Sequence, residues 1–272
     1  MIYLGLPQWH HPKWSRLGIT SLADYARFFN CVEGNTTFYA LPSTETVSRW
    51  RDMTGDDFRF CFKFPASISH QAGLVQCEAQ LSEFFSRLAP LAPRIGQYWL
   101  QLPATFAPDN LPTLWHFLDR LPAEFSYGVE VRHPLFFAKG EEERALNRGL
   151  HARGVNRVIL DSRPVHLAKG TSEALLDAQR KKPKVATHAV VTASQPMVRF
   201  IASDDMTQSM HLFAVWQEKL AQWVGHSTPY LFLHTPDMGQ VNQLIHTLWP
   251  DLTRIFSDIS PTPPFVHQTS LF

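Results

Sequence analysis

Eight short apolar stretches recur along this chain, each leading into a segment with helical spacing, and that rhythm constrains the fold more than any other feature. They cover residues 2–6, 31–35, 58–64, 97–102, 127–132, 155–161, 197–202 and 230–234. Eight alternations of strand and helix in 272 residues predict an α/β fold, a single TIM-like (β/α)8 barrel domain over 1–272. Barrels of this kind carry their sites at the C-terminal ends of the strands. Leu81, Phe84, Phe85, Leu88 and Leu91 follow the i, i+3, i+4, i+7 rule, as do Leu111, Leu114, Trp115, Leu118 and Leu121. Phe213, Trp216, Leu220 and Trp223, and later Val241, Leu244, Ile245 and Leu248, continue the theme, so each set is expected to pack on the sheet. Pro7, Pro42, Pro65, Pro103 and Pro134 fall just after expected strands, where a residue without a backbone donor stops pairing, and they mark the loop-bearing end.

The 44% apolar content, with 8 Trp and 20 Phe, supports a compact core and excludes disorder as the overall state. A formal charge of +1 gives no long-range pull toward nucleic acid or an anionic membrane, so any anion recognition must be local. Cys31, Cys61 and Cys77 lack the paired spacing of a zinc ribbon or a redox CxxC motif, and an odd count does not suit a disulfide framework. With no basic leader and no window of about 20 apolar residues, the expectation is a cytoplasmic protein with no membrane partner. No low-complexity linker divides the chain. The long connection between the sixth and seventh strands carries Arg180-Lys181-Lys182-Pro183-Lys184, which fits either a solvated basic loop or an anion-binding lid. Pro261-Thr262-Pro263-Pro264-Phe265 is expected to be an extended strap or a loose end.

Side chains alternate along a strand, so parity sorts the polar residues by face. Cys31, Glu33 and Asn35 share a face on the second strand, Cys61 and Lys63 on the third, and Trp99 and Gln101 on the fourth. Glu130 and Arg132, Ile159 and Asp161, Met197 and Arg199, and Phe232 and His234 do the same on the fifth to eighth. In each set the polar residue stands last or nearly last, so the sets are expected to converge at one rim. A buried charge costs several kcal/mol unless paired, so seven strands are not expected to carry such residues by accident. Glu33, Glu130 and Asp161 set against Lys63, Arg132 and Arg199 give a nearly balanced rim, which fits a salt-bridged plug as well as an active site. In the catalytic reading Glu33 or Glu130 is a general base, Asp161 belongs to the same group, and Lys63 is an acid, an electrostatic stabiliser or a Schiff-base amine. Arg199 is placed to meet a phosphate or carboxylate.

No cofactor is expected, because a balanced rim does not demand a metal. A divalent metal stays open, since His70, Glu130, His133, Asp161, His166 and His234 stand at or just beyond strand ends. The sequence has no HExxH, no GxSxG elbow, no GxxxxGK[ST] loop and no GxGxxG turn, so zincin, serine hydrolase, P-loop kinase and Rossmann dehydrogenase readings lack their mechanical parts.

The blocks VEGNTTFYALP (32–42), FKFPASISH (62–70), YWLQLPATF (98–106) and GVEVRHPLF (128–136) resemble the signature segments of the domain of unknown function 72 family, as do VRFIAS (198–203) and YLFLHTPDM (230–238). The match runs in order over nearly the whole chain. It implies a single TIM-like barrel and brings no settled activity with it. Family blocks fall on Glu33, Asn35, Thr37, Phe38, Tyr39, Lys63, His70, Gln101, Glu130, Arg132 and His133, which coincide with the rim found by parity. Two segments depart from the usual family pattern: His234-Thr235-Pro236-Asp237 replaces an asparagine-rich ending, and Pro7-Gln8-Trp9 replaces serine-glycine-tryptophan.

Taken together, these residues predict an enzyme of hydrolase or lyase type that performs Glu/Lys/Arg acid–base chemistry on a small anionic substrate, for example a phosphorylated one. Substrate contacts are expected from Asn35, Tyr39, His70, Gln101, Arg132, His133, Arg199 and His234. An alternative is a nucleic-acid-binding or repair protein resembling barrel-fold endonucleases, with Trp9, Phe38 and Tyr39 stacking on bases; net charge disfavours it. A third is a ligand sensor that binds without turnover.

Overall fold

The computed structural model describes residues 1–259, so the proline-rich stretch 261–265 lies outside the described residues. Nine parallel strands form one sheet: β1 (Tyr3–Leu6), β2 (Cys31–Gly34), β3 (Arg59–Lys63), β4 (Ile95–Gln101), β5 (Tyr127–Glu130), β6 (Asn156–Arg157), β7 (Ile159–Asp161), β8 (Met197–Ile201) and β9 (Tyr230–His234). Their order is β6-β5-β4-β3-β2-β1-β9-β8-β7. The sixth apolar stretch therefore becomes two short strands separated by Val158. β6 pairs with β5 and β7 pairs with β8, so this one stretch divides its hydrogen bonds between both neighbours and closes the TIM-like barrel. The Val158 amide still donates to Val129 O at 2.9 Å.

The crossovers contain α1 (Leu22–Ala26), α2 (Thr44–Asp52), α3 (Glu78–Leu88), α4 (Leu111–Leu118) and α5 (Glu141–Ala152). They continue with α6 (Arg163–Leu167), α7 (Glu173–Lys181), α8 (Met206–Val224) and α9 (Val241–Ile255). Capping starts several of them, because the first amides of a helix have no partner within it. Ser21 and Asp24 form a reciprocal capping box on α1, Ser172 accepts from the Leu175 amide on α7, and Asp205 accepts from the Gln208 amide on α8. The apolar faces read from spacing meet the sheet: Phe84 and Leu88, Leu114 and Leu118, Phe213, Trp216 and Leu220, and Val241, Leu244, Ile245 and Leu248 are all buried. Pro7, Pro65 and Pro103 follow strand ends within two residues and Pro134 opens a 3-10 turn, whereas Pro42 lies beyond the turn Thr36–Phe38.

Inside the barrel, alternate side chains fill the lumen. Tyr3, Cys31, Cys61, Trp99, Val158, Met197, Tyr230 and Phe232 form a separate buried cluster there. Trp99 is admitted by Gly128, its register partner on β5, where a Cβ would stand only 2.9 Å from Gln97 Oε1 and from Val158 Cγ2. One step toward the C-terminal ends of the strands the inward positions become polar. No helix among the described residues is long and apolar enough to cross a membrane.

Candidate functional site

The polar layer is built around Arg199, which β8 presents inward from its centre. Its Nε and Nη2 donate to Glu33 Oε2 and Oε1 at 2.8 and 2.9 Å, and its Nη1 donates to Glu130 Oε2. The guanidinium also lies 4.6 Å from the centre of the Trp99 ring, so the aromatic layer below supports it through cation–π attraction. Arg132, just past β5, donates from Nε and Nη2 to Glu130 Oε1 at 3.0 and 2.9 Å, and from Nη2 to Gln101 Oε1 at 2.8 Å. Glu33 Oε2 is shared with His234 Nε2 at 3.0 Å, and Glu33 Oε1 accepts from Asn35 Nδ2. Both carboxylates are thus fully occupied.

That occupancy sets their chemistry. Burial alone would push Glu33 upward, but Arg199 and then His234 outweigh it and hold the carboxyl well below its ordinary range. Burial likewise opposes Glu130, and Arg199, Arg132 and Lys63 together hold it at about 2. Both glutamates are held ionised, and their oxygens are turned to the two arginines. Burial lowers His234 to about 4 despite the pull of Glu33, so its ring is neutral at pH 7 and donates its Nε2 proton to the carboxylate.

Lys63 ends β3 on the same inward face and is only 6% exposed. Its Nζ donates to Gln101 Oε1 at 2.8 Å and lies 3.6 Å from the centre of the Phe38 ring. Among the described residues it has no carboxylate within ion-pair distance. Burial, followed by repulsion from Arg199, brings its pKa down to about 7.

Above this layer opens a cavity of about 460 Å³. Asn35, Tyr39, Lys63, Gln101, Arg132, Arg199 and His234 line it, with Glu33 and Glu130 buried beneath as the arginines' partners. The opposite wall comes from a segment that the spacing of strand residues could not place. Helix α7 packs through Leu175 and Ala178 onto Leu160 and Ile201 at the mouth, and so brings Lys181 and Lys182 to the cavity. Lys181 is spoken for by Asp177 at 2.7 Å, whereas Lys182 has no ion-pair partner among the described residues. Burial and then Arg199 bring Lys182 down to about 8. The signal for it was the basic run 180–184.

Three expected site residues lie elsewhere. Asp161 is in register with Phe200, which packs outward on Phe213 of α8, so Asp161 also faces the helices. It accepts from Trp216 Nε1 at 2.7 Å and from Arg163 Nη2 at 2.7 Å. The inward residues of this stretch are Val158 and Leu160, and the expected convergence of Asp161 at the rim is corrected accordingly. His133 caps the turn Pro134–Phe137 by accepting from the Leu135 amide at 3.3 Å. His70 is exposed, pairs with Ser69 Oγ at 2.8 Å and meets Phe38 edge-on, outside the cavity lining. Of the aromatics named for base stacking, Trp9 packs edge-on against Trp50, Phe38 covers Lys63, and Tyr39 alone is open, at 85% exposure. Among the described residues no group of three or more His, Cys, Asp or Glu is placed to hold a metal ion, and the candidates listed from strand ends are dispersed.

Fold and site together define a TIM-like barrel whose mouth carries unpaired cations above a layer of arginine-bound carboxylates. The chain belongs to the family described as Protein of unknown function DUF72, whose model matches residues 3–264. It is 70% identical over 272 residues to the UPF0759 protein YecE of Escherichia coli K12, and 69% identical to the protein of that name from Escherichia coli O157:H7, each match covering 100% of both chains. A crystal structure of a DUF72 family protein from Enterococcus faecalis V583 superposes with a TM-score of 0.72 at 16% identity, covering 96% of this chain and 99% of that one. One from Thermotoga maritima MSB8 gives 0.63 at 16% identity, covering 88% and 94%. These structural likenesses establish the fold, and the family's name carries no reaction.

Proposed function

We propose that the chain is an enzyme that binds a small anionic substrate at the barrel mouth and acts on it by acid–base chemistry in which Lys63, rather than a glutamate, exchanges the proton. One observation carries this reading: Lys63 and Lys182 face the same cavity without carboxylate partners among the described residues, while Glu33 and Glu130 beneath it are bound by arginines. With Asp161 facing outward, the balanced rim becomes two carboxylates against two guanidiniums and two ammoniums. A site with surplus positive charge and a volume of about 460 Å³ suits a phosphate- or carboxylate-bearing metabolite.

Sulfate and inorganic phosphate are suitable first probes. At low ionic strength each is expected to raise the unfolding temperature of the protein, and Lys182→Ala is expected to weaken that binding about tenfold, the loss of one charge-assisted contact. Incubation with a mixture of phosphorylated and carboxylated metabolites, followed by mass spectrometry, is then expected to show one compound consumed by the wild type and spared by Lys63→Met. Consumption at an equal rate by the variant would reject the role given to Lys63. Anion binding with no compound consumed would make the mouth a sensor.

A further inference from the structure

Lys63 is held in a way that suits a nucleophile better than a permanent cation. Its one hydrogen-bond acceptor among the described residues is an amide oxygen, Gln101 Oε1, which bears no charge and accepts from an ammonium and, more weakly, from a neutral amine. That same oxygen is pinned by Arg132 Nη2 at 2.8 Å, so the acceptor is rigid without carrying charge. The ring centres of Phe38 and Trp99 lie 3.6 and 5.3 Å from the amine, excluding water from it while attracting its charged form, and the nearby glutamates are turned to Arg199 and Arg132. The position of the nitrogen is fixed and its protonation is left free.

We propose that Lys63 condenses through Nζ with the carbonyl carbon of a small aldehyde or ketone that carries a carboxylate or phosphate, forming a covalent iminium at the barrel mouth. This rests on the anion-binding reading above and names the substrate class for it. In the step, the nitrogen lone pair forms the C–N bond while the carbonyl π pair moves to oxygen. One proton passes from nitrogen to that oxygen, giving the carbinolamine. A second proton, supplied by the Lys182 ammonium across the cavity, completes a water molecule as the C–O bond breaks, and the C=N bond forms with the charge on nitrogen. No redox partner is needed. Lys182 and Arg132 both line the cavity in which the anionic group would rest. A desolvated lysine beside other cations is the setting in which an amine is available for such attack near neutral pH, and burial with Arg199 as neighbour has that effect on Lys63.

The test uses the full chain with glyoxylate and, separately, pyridoxal 5′-phosphate as probes, each trapped with borohydride and mapped by peptide mass spectrometry. One equivalent of either probe is expected to be fixed on Lys63, with labelling suppressed at least tenfold by sulfate and lowered about tenfold in Lys182→Ala. Lys63→Arg is expected to abolish the adduct, while a circular dichroism spectrum and a cooperative unfolding transition like those of the wild type show that the variant is folded. Labelling confined to surface lysines or to Lys182, with Lys63 unmodified, would overturn the proposal. If sulfate still stabilises the protein in that case, the anion-binding reading survives alone; if it does not, both readings fall.

Discussion

Arg199 is the residue on which the buried polar layer depends, because it neutralises Glu33 and Glu130 at once. Removing one partner of a buried pair leaves the other without compensation, so Glu33→Gln is expected to destabilise the protein by about 3 kcal/mol in chemical denaturation. A loss under 1 kcal/mol would show that Glu130 alone satisfies Arg199. The carboxylates also set the acid limit. Glu130 is lowered from 4.5 to about 2 in the folded state, so its stabilising contribution is complete above pH 4.5 and is lost as pH falls toward 2. Lys63 contributes a penalty instead, with a pH slope of the same sign. Its pKa falls from 10.5 unfolded to about 7 folded, so between those values the unfolded chain binds more protons and this residue's penalty diminishes as pH rises. Lys63→Met is therefore expected to stabilise the protein at pH 6 by about 2 kcal/mol, the relief of a buried unpaired charge less the Gln101 contact, with the difference shrinking toward pH 10. Equal stability of variant and wild type at both pH values would show that Lys63 carries no such penalty.

At the level of elements, the sixth stretch and the segment after it decide what the mouth contains. Alternation along β2, β3, β4, β5, β8 and β9 grouped Glu33, Lys63, Gln101, Glu130, Arg199 and His234 each with its own strand face, and in the structure those faces look inward. It failed for Asp161, since parity says which residues share a face and not which face looks inward. Val158, seated with the lumen cluster, and the register of Leu160 with Arg199 fix that choice. Lys182 was visible as charge but not as a site residue, because its position depends on α7 docking onto Leu160 and Ile201, a tertiary contact with no local signature. Asp161 instead helps to anchor the return of that segment. Thr187 Oγ1 donates to Asp161 Oδ1 at 3.2 Å, Ser162 Oγ to Pro183 O at 2.8 Å, and His188 Nδ1 meets Glu143 Oε1 at 2.7 Å. Asp161→Ala strands the buried Trp216 donor and frees the half-buried Arg163, so it is expected to cost about 1–3 kcal/mol and to speed amide exchange across 182–190. Unchanged exchange there would refute the anchoring role. Gly128→Ala, which crowds Gln97 and Val158, is expected to cost about 1–3 kcal/mol by denaturation.

Across the whole molecule, a net charge of +1 conceals a concentrated positive site. The barrel closes through the divided sixth stretch, its lumen is filled below by Trp99 and its neighbours, and its surplus cations meet solvent at one end. Sulfate stays ionised at neutral and alkaline pH, so its binding is expected to weaken at least tenfold between pH 6.5 and 9 as Lys63 and Lys182 lose protons near 7 and 8. Calorimetric titration at constant ionic strength reads this effect. The chemistry of the mouth turns on the state of one amine. A nuclear magnetic resonance titration of protein labelled at lysine side chains, with the Lys63 signal assigned by its loss in Lys63→Arg, measures that state directly. The expected result is a midpoint near 7 that moves upward when sulfate is added. A midpoint at the ordinary lysine value of 10.5, indifferent to sulfate, would contradict both the unpaired amine and the anion-binding mouth.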